Sequence, residues 1–547
     1  MQINVCVWLV IQQITALCGA KRILGVFPHF GYSHFKVYYP LLHALAERGH
    51  NVTVITYIHS PNSPEFYEEW LLKGEQVKET ISLSDAWPTR SWRALFNEYL
   101  SLHKEGQSSC KKLYESGFVE RALDQHLIQP YDLVITEYFN SDCQLVLPYL
   151  MNLPIVGFTS CLLMPWYYER LLMPDTPSYI QSEFIGYPEP LKWYHRIENF
   201  LQAKILPLLY RFYTNHCDNV LINSYFKWLY PDVNSIAKRQ TRIVFGNQHY
   251  SLMGIRPSTQ QFIEVGGIHI NESSINDREL PKDIKTFLEN TAEDVLFISW
   301  GSMIKFSTMP NDAVKSIVAT LLQFDVKVIW KWENDKIPTT SEKFLFVKWA
   351  PQLQLLCHPK IKYFWGHGGL LGITEALYCG KPMLITPIYG DHFVNSYAVE
   401  NRKIGYVVDY FDLPFSQYSL YVVLKNLTQS GYEHRAKELS EMFRHRENKP
   451  IDTAVWWVEH LLKYKSTSET LHSHAVELNW FVFNSLDAIM VTTPIVVSEV
   501  TDENWDNIRA KVTETINCFD SKGNTFANSA VVTMSTRRGT GLLAKKL

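Results

Sequence analysis

The sequence predicts an α/β fold in which two doubly wound parallel sheets face each other across a cleft. Three observations lead to this prediction. Short apolar runs alternate with helical patterns in the first half of the chain, a polar stretch follows near residues 268–290, and a second alternating series comes after it. Ligands bind beyond the carboxyl ends of the strands in such sheets, so functional residues are expected in the loops that follow strands.

The first Rossmann-like domain is predicted from apolar and β-branched runs separated by helical patterns, such as the one over Val37–Arg48 that ends at Gly49. Two insertions, residues 85–125 and 162–215, interrupt the alternation. The predicted strands are Arg22–Phe27, Asn51–Tyr57, Asp132–Thr136, Ile155–Phe158 and Asn219–Asn223.

The second Rossmann-like domain follows a polar linker over residues 273–290, which contains Pro281. Helices are predicted over 310–324 and 369–379. The predicted strands are Asp294–Trp300, Lys327–Trp332, Phe344–Lys348, Ile361–Trp365 and Met383–Thr386. The domains are therefore expected over residues 21–272 and 291–465, with a C-terminal helical return over 466–487.

The two ends of the chain differ from these domains. Residues 1–20 are apolar and end in small residues, which predicts a signal peptide, and Asn-X-Ser/Thr triplets at Asn51, Asn271 and Asn426 suit a secretory route. Residues 488–547 form a polar tail. They lack the ~20 apolar residues that span a bilayer, so no transmembrane helix is expected there.

Composition excludes some classes of function. The 547 residues carry a formal net charge of −3 without a basic block, so no nucleic-acid partner is expected. The nine cysteines show neither a Cys-X-X-Cys motif nor zinc-like spacing, so the sequence does not indicate a disulfide framework. No His/Asp/Glu cluster has metal-ligand spacing either, so no metal or other cofactor is expected.

An apolar stripe recurs at helical spacing within the second insertion. Two interpretations remain open: a helix packed on the core, or a helix facing substrate or a membrane surface over residues 194–213. The residues of the stripe are Ile197, Leu201, Ile205, Leu208 and Phe212.

The segment from Trp349 to Asn395 carries the strongest chemical signal. A strand is predicted to lead into the turn from Gly366 to Gly369, which opens a helix whose free N–H groups and dipole attract an anion. His367 at this turn can donate to a phosphate oxygen, and Glu375, two helical turns on, can accept from a ribose diol.

Other groups along the second domain suit the remaining parts of a nucleotide sugar. Trp349 offers a flat face for a base, and Gln352 has the donor and acceptor that match a uracil edge. Asp391 and His392 follow a strand and suit sugar hydroxyls, while Ser302 follows the first strand of the domain and can reach phosphate.

The segment closely resembles the signature of the UDP-glycosyltransferases, the animal glucuronosyl- and glucosyltransferases, and the resemblance extends over roughly residues 21–486. The stretch 140–143 is most similar to the insect branch. The resemblance implies the GT-B fold, stacking of uracil on Trp349, a Gln352 bond to base or ribose, and a ribose held by Glu375. It also implies that Asp391 and His392 face the sugar and that the diphosphate is surrounded by Ser302, His367, Gly369 and Gly372.

Two departures from the family pattern affect the donor site. Leu371 stands where vertebrate relatives commonly carry Asn, which removes one phosphate donor. His392 stands where the family usually has Gln, and this replacement of Gln by His resembles what galactose-using members show. Glucose is the expected hexose, and galactose is the alternative.

A catalytic base is expected from the first domain, in the loop after Arg22–Phe27. The family's general base matches His34, whose imidazole would take the proton of an acceptor hydroxyl; His29 is the competing candidate. A carboxylate normally orients such a histidine. Glu137 at the end of a predicted strand and Asp142 five residues later are both candidates for this role.

Transfer of a hexose to a small lipophilic acceptor with inversion and without a metal ion is therefore the expected function. The alternatives are a non-catalytic carrier of lipophiles and a phosphorylase-type enzyme, for which no pyridoxal-phosphate motif is present. The expected compartment is the endoplasmic reticulum lumen, and a second copy of the chain remains a candidate partner.

The second insertion contains aromatic residues that either suit a flat acceptor or simply pack the insertion. They are Trp166, Tyr167, Tyr168, Tyr179 and Phe184.

Overall fold

The computed structural model describes residues 19–73, 81–83, 92–227, 229, 232–276, 279–410, 417–428, 430–464, 470–471, 473–478 and 480–488. Most of the predicted signal peptide and of the polar tail lies outside these residues. The strands are β1 (Arg22–Val26), β2 (Asn51–Thr56), β3 (Tyr67–Leu71), β4 (Ile81–Ser82), β5 (Leu133–Glu137), β6 (Ile155–Thr159), β7 (Thr241–Gly246), β8 (Phe262–Glu264), β9 (Asp294–Ile298), β10 (Ile304–Lys305), β11 (Val326–Lys331), β12 (Phe344–Val347), β13 (Ile361–Gly366), β14 (Met383–Ile385) and β15 (Gly405–Val407).

Helices connect these strands, and a π-helical turn over Tyr210–Thr214 continues α5 into α6. The α-helices are α1 (Tyr32–Glu47), α2 (Trp92–Glu115), α3 (Phe118–Ile128), α4 (Val146–Met151), α5 (Trp193–Leu209), α6 (Asn215–Tyr225), α7 (Val233–Gln240), α8 (Tyr250–Met253), α9 (Ser273–Asn276), α10 (Lys282–Glu289), α11 (Asn311–Leu321), α12 (Gln352–Leu356), α13 (Leu370–Tyr378), α14 (His392–Asn401), α15 (Gln417–Leu427), α16 (Ser430–Arg444), α17 (Pro450–Lys463) and α18 (Trp480–Phe483).

Two parallel sheets confirm the predicted fold class. The first has the order β3-β2-β1-β5-β6-β7-β8, and the second has the order β12-β11-β9-β13-β14-β15. In each sheet the order reverses next to its first strand, β1 or β9, which places the loops after those strands at a switch point where ligands bind. Apolar side chains from the strands and the surrounding helices form the cores of both domains.

One predicted strand was wrong. Asn219–Asn223 lies in helix α6, and the strand beside β6 is instead β7. A run of three apolar residues cannot distinguish a buried strand from a buried helical turn. Asp218 and Ile222, four residues apart, are the buried positions of α6 together with Asn215, so a helical face decides the local structure.

Helix α17 packs on the first domain, although the predicted domain boundaries assign it to the second. Residues 450–463 were expected to belong to the second domain, but Ala454, Val455 and Val458 are buried in the core of the first domain. Arg48, at the end of α1, donates from Nε to Glu459 Oε1 over 2.6 Å. The chain therefore crosses from the first domain to the second and returns.

The apolar stripe of the second insertion faces outward. Ile197 is 52% exposed and Phe212 is 71% exposed, whereas the buried face of α5 is formed by Asn199, Gln202, Ala203 and Leu206. The interpretation of this stripe as a face packed on the core is therefore wrong.

Two disulfides correct the expectation that the cysteines form no framework. Cys110 of α2 pairs with Cys143, and Cys357 after α12 pairs with Cys379 after α13. Their separations of 33 and 22 residues match no short motif, so spacing alone could not reveal them. The second disulfide joins the two helices that carry Gln352 and Glu375.

The described part of the chain after Val476 includes α18. Within the described residues, no helix has the length and apolar character needed to cross a bilayer.

Candidate active site

The histidine expected to act as base forms a close pair with a carboxylate. His34 lies in the first turn of α1, and Glu137 is the last residue of β5, which pairs directly with β1. Both side chains therefore meet beyond the carboxyl edge of the first sheet. The distance from His34 Nδ1 to Glu137 Oε1 is 2.6 Å, and the Glu137 side chain is almost fully buried.

The charge of Glu137 controls the protonation of this histidine. Burial alone would lower the pKa of His34, but the charge and the hydrogen bond of Glu137 outweigh it and raise that pKa. Burial would raise the pKa of Glu137, yet the neighbouring imidazole lowers it overall. An ionised Glu137 accepts the Nδ1 hydrogen, which leaves Nε2 of the neutral ring as the basic nitrogen.

The Glu137→Gln variant is expected to move the acid limb of the activity profile to lower pH. The base works only when it is deprotonated, so activity falls as the pH drops below the raised pKa of His34; removing the carboxylate charge lowers that pKa. The pH dependence of kcat/KM over pH 4.5–9 measures the shift. An acid limb that stays in place, or moves upward, would contradict the assigned pairing.

His29 occupies a different environment from His34, although the two ring centroids are only 4.4 Å apart. Its Nδ1 lies 3.3 Å from Glu105 Oε1, and burial followed by the charge of His34 lowers the pKa of His29 to about 3. With so low a pKa, His29 is a weak proton acceptor compared with His34.

Asp142 does not reach His34. Its Oδ2 accepts from Arg170 Nη2 over 2.5 Å, and its backbone N–H donates to Asp218. Both side chains of the Asp142–Arg170 pair are buried. The structure therefore places Glu137 at the histidine and Asp142 in a separate buried ion pair.

The glycine-rich turn after β13 opens helix α13 as the sequence predicts. Gly369 caps α13, and Gly368 has φ 99°, a left-handed conformation in which a Cβ would lie 2.7 Å from the carbonyl oxygen of His392. Only glycine fits this close approach. The first turn of α13 therefore begins with N–H groups that no helical carbonyl accepts, as an anion site requires.

His367 is enclosed by glycines on two sides. A Cβ on Gly301 would lie 2.7 Å from its ring, and a Cβ on Gly369 would lie 2.6 Å from its Nε2. Burial, and to a lesser extent the charge of Lys331, lowers the pKa of His367 to about 3. The ring is therefore neutral and has one N–H to donate. Ser302, directly after Gly301, is exposed.

The residues expected at the nucleoside lie together. Gln352 Nε2 donates to Glu375 Oε2 over 2.7 Å, and a Cβ on Gly372 would lie 3.3 Å from that same nitrogen. Trp349 is 59% exposed, so its ring face is open to a base. Helix α1 of the first domain reaches this group, since the Tyr32 and Trp349 ring centroids are 6.5 Å apart.

The residues expected at the sugar lie at the start of α14. Asn395 donates to Asp391 Oδ2 over 2.9 Å, and burial raises the pKa of Asp391 to about 6. The backbone N–H of Tyr389 points to Nδ1 of His392 over 3.4 Å, which leaves Nε2–H as its donor. The His367 and His392 rings meet edge to face with centroids 4.6 Å apart.

Comparison with known proteins assigns the chain to a protein family. The family model of UDP-glucuronosyl and UDP-glucosyl transferases matches residues 23–506. This chain is a UDP-glycosyltransferase. It is 31% identical to UDP-glycosyltransferase UGT5 of Dactylopius coccus over 90% of this chain and 93% of that protein. It is 25% identical to human UDP-glucuronosyltransferase 2A3 over 88% of this chain and 92% of that protein.

Solved structures confirm that the fold is GT-B. One of them is Phytolacca americana UGT2, complexed with UDP-2-fluoro-glucose and pterostilbene. It matches with a TM-score of 0.55 and 16% identity, and the match covers 81% of this chain and 99% of that chain. A UDP-glucosyltransferase from Polygonum tinctorium has a TM-score of 0.55, 15% identity and the same coverage of both chains.

The UDP-glycosyltransferase also has residues at its cleft that the sequence reasoning missed. The side chain of His269 is buried, both of its ring nitrogens lack a hydrogen-bond partner among the described residues, and its Nε2 lies 3.7 Å from Glu375 Oε1. The charge of Lys36 in α1 acts on both His269 and Glu375. The sequence does carry a signal for this site, because His269 is the one polar side chain in the otherwise apolar run 265–270.

Further carboxyl groups lie close to Asp391, one of the residues expected at the sugar. Glu98 of α2 accepts from the backbone of Gly390, and burial with the nearby Asp391 raises the pKa of Glu98 to about 7. Glu183 is also buried near Asp391, and burial raises its pKa well above the ordinary value. Helix α2, from the first insertion, thus borders the cleft.

Of the two interpretations left open for the aromatic residues of the second insertion, packing within the insertion is the one that most of them follow. Trp166 stacks on Tyr210 with ring centroids 4.9 Å apart, and Tyr167 and Phe184 are buried in the same cluster. Tyr168 is partly buried against it, whereas Tyr179 is exposed. Phe139, which lies 4.6 Å from the His34 ring between centroids, is the aromatic side chain at the base.

Proposed function

We propose that this UDP-glycosyltransferase moves a hexose, glucose in the first place, from a UDP-sugar to a hydroxyl of a small lipophilic acceptor by inverting displacement. The observation that carries the proposal is the His34–Glu137 pair at the carboxyl edge of the first sheet, whose histidine is close enough to Asp391 of the second domain to feel its charge. The base and the expected sugar residues thus come from opposite domains and face one cleft.

Each part of the site has a step in this reaction. His34 Nε2 would take the proton from the acceptor hydroxyl while that oxygen bonds to the anomeric carbon. The bond from the anomeric carbon to the diphosphate oxygen breaks, and its electron pair leaves with UDP. The N–H groups opening α13, the Ser302 hydroxyl and the neutral His367 would stabilise the charge that develops on the diphosphate.

The cleft favours an uncharged hexose. Asp391 lies among the residues expected at the sugar, and its pKa of about 6 leaves it ionised at neutral pH, so a donor sugar with its own carboxylate would meet a like charge there. A relative at 27% identity is named UDP-glucosyltransferase 2. His392, which replaces the usual Gln, keeps galactose as the alternative.

The acceptor class is a phenol, flavonoid or steroid-like molecule, and detoxification is the expected role. Phe139 supplies an aromatic face beside the base. Phytolacca americana UGT2, which shares the fold, is complexed with pterostilbene. A catalytically inactive carrier of such lipophiles remains the second candidate function.

Transfer assays with UDP-glucose, UDP-galactose and UDP-glucuronate against a phenol panel test this proposal, with products identified by mass spectrometry. Glucosides are expected as the main product, and His392→Gln is expected to lower the ratio of galactoside to glucoside. UDP binding without transfer to any phenol would support the carrier. Glucuronides as the main product would contradict the expected preference for an uncharged hexose.

Activity is expected to be independent of divalent metal ions. No group of three His, Cys, Asp or Glu side chains arranged to hold a metal ion is present in the part of the chain that the structure describes. Transfer rates should be the same in 5 mM EDTA and in 5 mM MgCl₂ or MnCl₂, because the groups around the diphosphate are N–H and O–H donors. Loss of activity with EDTA and recovery with Mg²⁺ or Mn²⁺ would overturn the expectation.

The proposal also includes a location in the endoplasmic reticulum lumen, with peripheral membrane contact through residues 194–213 and glycosylation at the exposed Asn271. The outward apolar stripe, in which Ile197 is 52% and Phe212 is 71% exposed, suits shallow contact with a lipid surface. A self-associating second copy is the alternative partner for this face. Failure to float with phosphatidylserine vesicles would argue against membrane contact.

A further inference from the structure

A second cavity lies between the two domains, further along α14 than Asp391 and His392. Its volume is about 560 Å³, which is in the range of small-molecule sites. The first domain contributes residues 178–181 and 189–191, Arg196 and the stretch Leu252–Arg256. The second domain contributes the later turns of α14 and Arg402.

Three arginines from separate elements line this cavity: Arg196 in α5, Arg256 after α8 and Arg402 after α14. No carboxylate lies within 4.0 Å of any of them among the residues that the structure describes. They donate only to uncharged oxygens: the carbonyls of Leu191 and Leu252 and the hydroxyl of Tyr168. Arg256 Nε is buried without a partner in that part of the chain.

The nearby acids do not neutralise these arginines. Glu183 is close enough to Arg256 to feel its charge, but burial and the neighbouring Asp391 raise the pKa of Glu183 well above its ordinary value. Glu189, the one carboxylate lining the cavity, is exposed to solvent. The cavity therefore keeps a net positive charge.

The remaining wall is largely apolar, with Leu162, Ile180, Met253 and Val394 among its side chains. Hydrogen bonds between the domains hold it in place: the backbone N–H of Glu189 donates to Asn401 Oδ1 over 2.9 Å, and Arg402 Nε donates to the Leu252 carbonyl over 3.0 Å. A preformed wall lowers the entropic cost of binding.

We propose that this cavity is a binding site for an amphipathic anion, with one carboxylate or sulfate head held by the arginines and an apolar body against the remaining wall. Guanidinium groups that lack carboxylate partners suit such a head, because they bind planar oxyanions through paired hydrogen bonds. The site is separate from the donor residues on α12 and α13. Its lining does not include His34.

Isothermal titration of the full chain, saturated with UDP, tests this assignment with decanoate and its uncharged counterpart decanamide as probes. Decanoate is expected to bind one site at least tenfold more tightly than decanamide. Arg256→Gln and Arg196→Gln are expected to weaken decanoate binding at least tenfold, and Arg256→Lys should retain part of the affinity because it keeps the charge. Arg121→Gln, at an exposed position in α3, is the matched control and should bind as the unmodified chain does.

Three results would overturn the proposal. Equal binding of decanoate and decanamide would remove the role of the charge, and unchanged binding by both glutamine variants would place the probe elsewhere. Displacement of decanoate by p-nitrophenol in direct competition would assign the probe to the acceptor pocket. Thermal unfolding midpoints of all variants establish that each is folded before titration.

Discussion

Replacement of His34 by alanine is expected to lower kcat by about 10²–10⁴-fold, the range that a positioned general base contributes. The affinity for UDP should change little, because His34 Nδ1 is bonded to Glu137 and the residues expected at the nucleotide lie on the second domain. Initial rates with a phenol acceptor measure the first effect, and isothermal titration with UDP measures the second.

His59→Ala is the matched control for this experiment, since His59 is an exposed histidine that pairs with Glu69. It should retain full activity. Full glucosyl transfer by His34→Ala would refute the base assignment. Loss of transfer in His29→Ala combined with full activity in His34→Ala would move the role to His29.

Replacement of Asp142 by alanine is expected to lower the free energy of unfolding by about 3–5 kcal/mol, since this change leaves the buried Arg170 charge without its partner. The effect acts on stability rather than on the reaction. The kcat of the folded fraction should therefore fall far less than in His34→Ala. Urea-induced unfolding followed by tryptophan fluorescence, together with active-site titration, separates the two quantities.

The double variant Asp142→Leu with Arg170→Met is expected to recover most of the lost stability. Replacing both members of a buried ion pair by apolar residues removes the unpaired charge, and such replacements are often neutral or stabilising. If Asp142→Ala instead leaves the unfolding transition in place and shifts the acid limb of the pH profile, Asp142 rather than Glu137 would be the partner of the histidine.

The arrangement of the residues expected at the donor was largely predictable because these residues are local in sequence. The turn from Gly366 to Gly369 and the start of α13 follow from glycine chemistry and helix polarity, and the structure brings Gln352 and Glu375 together as expected. The partner of His34 was not decidable, because Glu137 and Asp142 are only five residues apart. What separates them is that Glu137 ends a strand beside β1, whereas Asp142 contacts Arg170 and Asp218, which are distant in sequence.

Features that depend on distant contacts could not be read from the chain. The pairing of Cys110 with Cys143 depends on how α2 lies against the turn after β5. The apolar stripe of α5 faces outward because the opposite, more polar face of the helix is buried. On that face, Asn199 Nδ2 donates to the backbone carbonyls of Pro177 and Ile180 in the preceding loop. Periodicity shows that a helix has an apolar side but not which side the protein covers.

The return of α17 to the first domain has a mechanical consequence. The polypeptide crosses between the domains twice, once between Ile268 and Ile284 and again between Phe443 and Ala454, since each pair has one member in the core of each domain. Because the chain joins the two domains at two places, any change in the angle between them would have to bend both connections at once. His34 and Asp391 come from opposite domains, so such a change would also alter the distance between the base and a residue expected at the sugar.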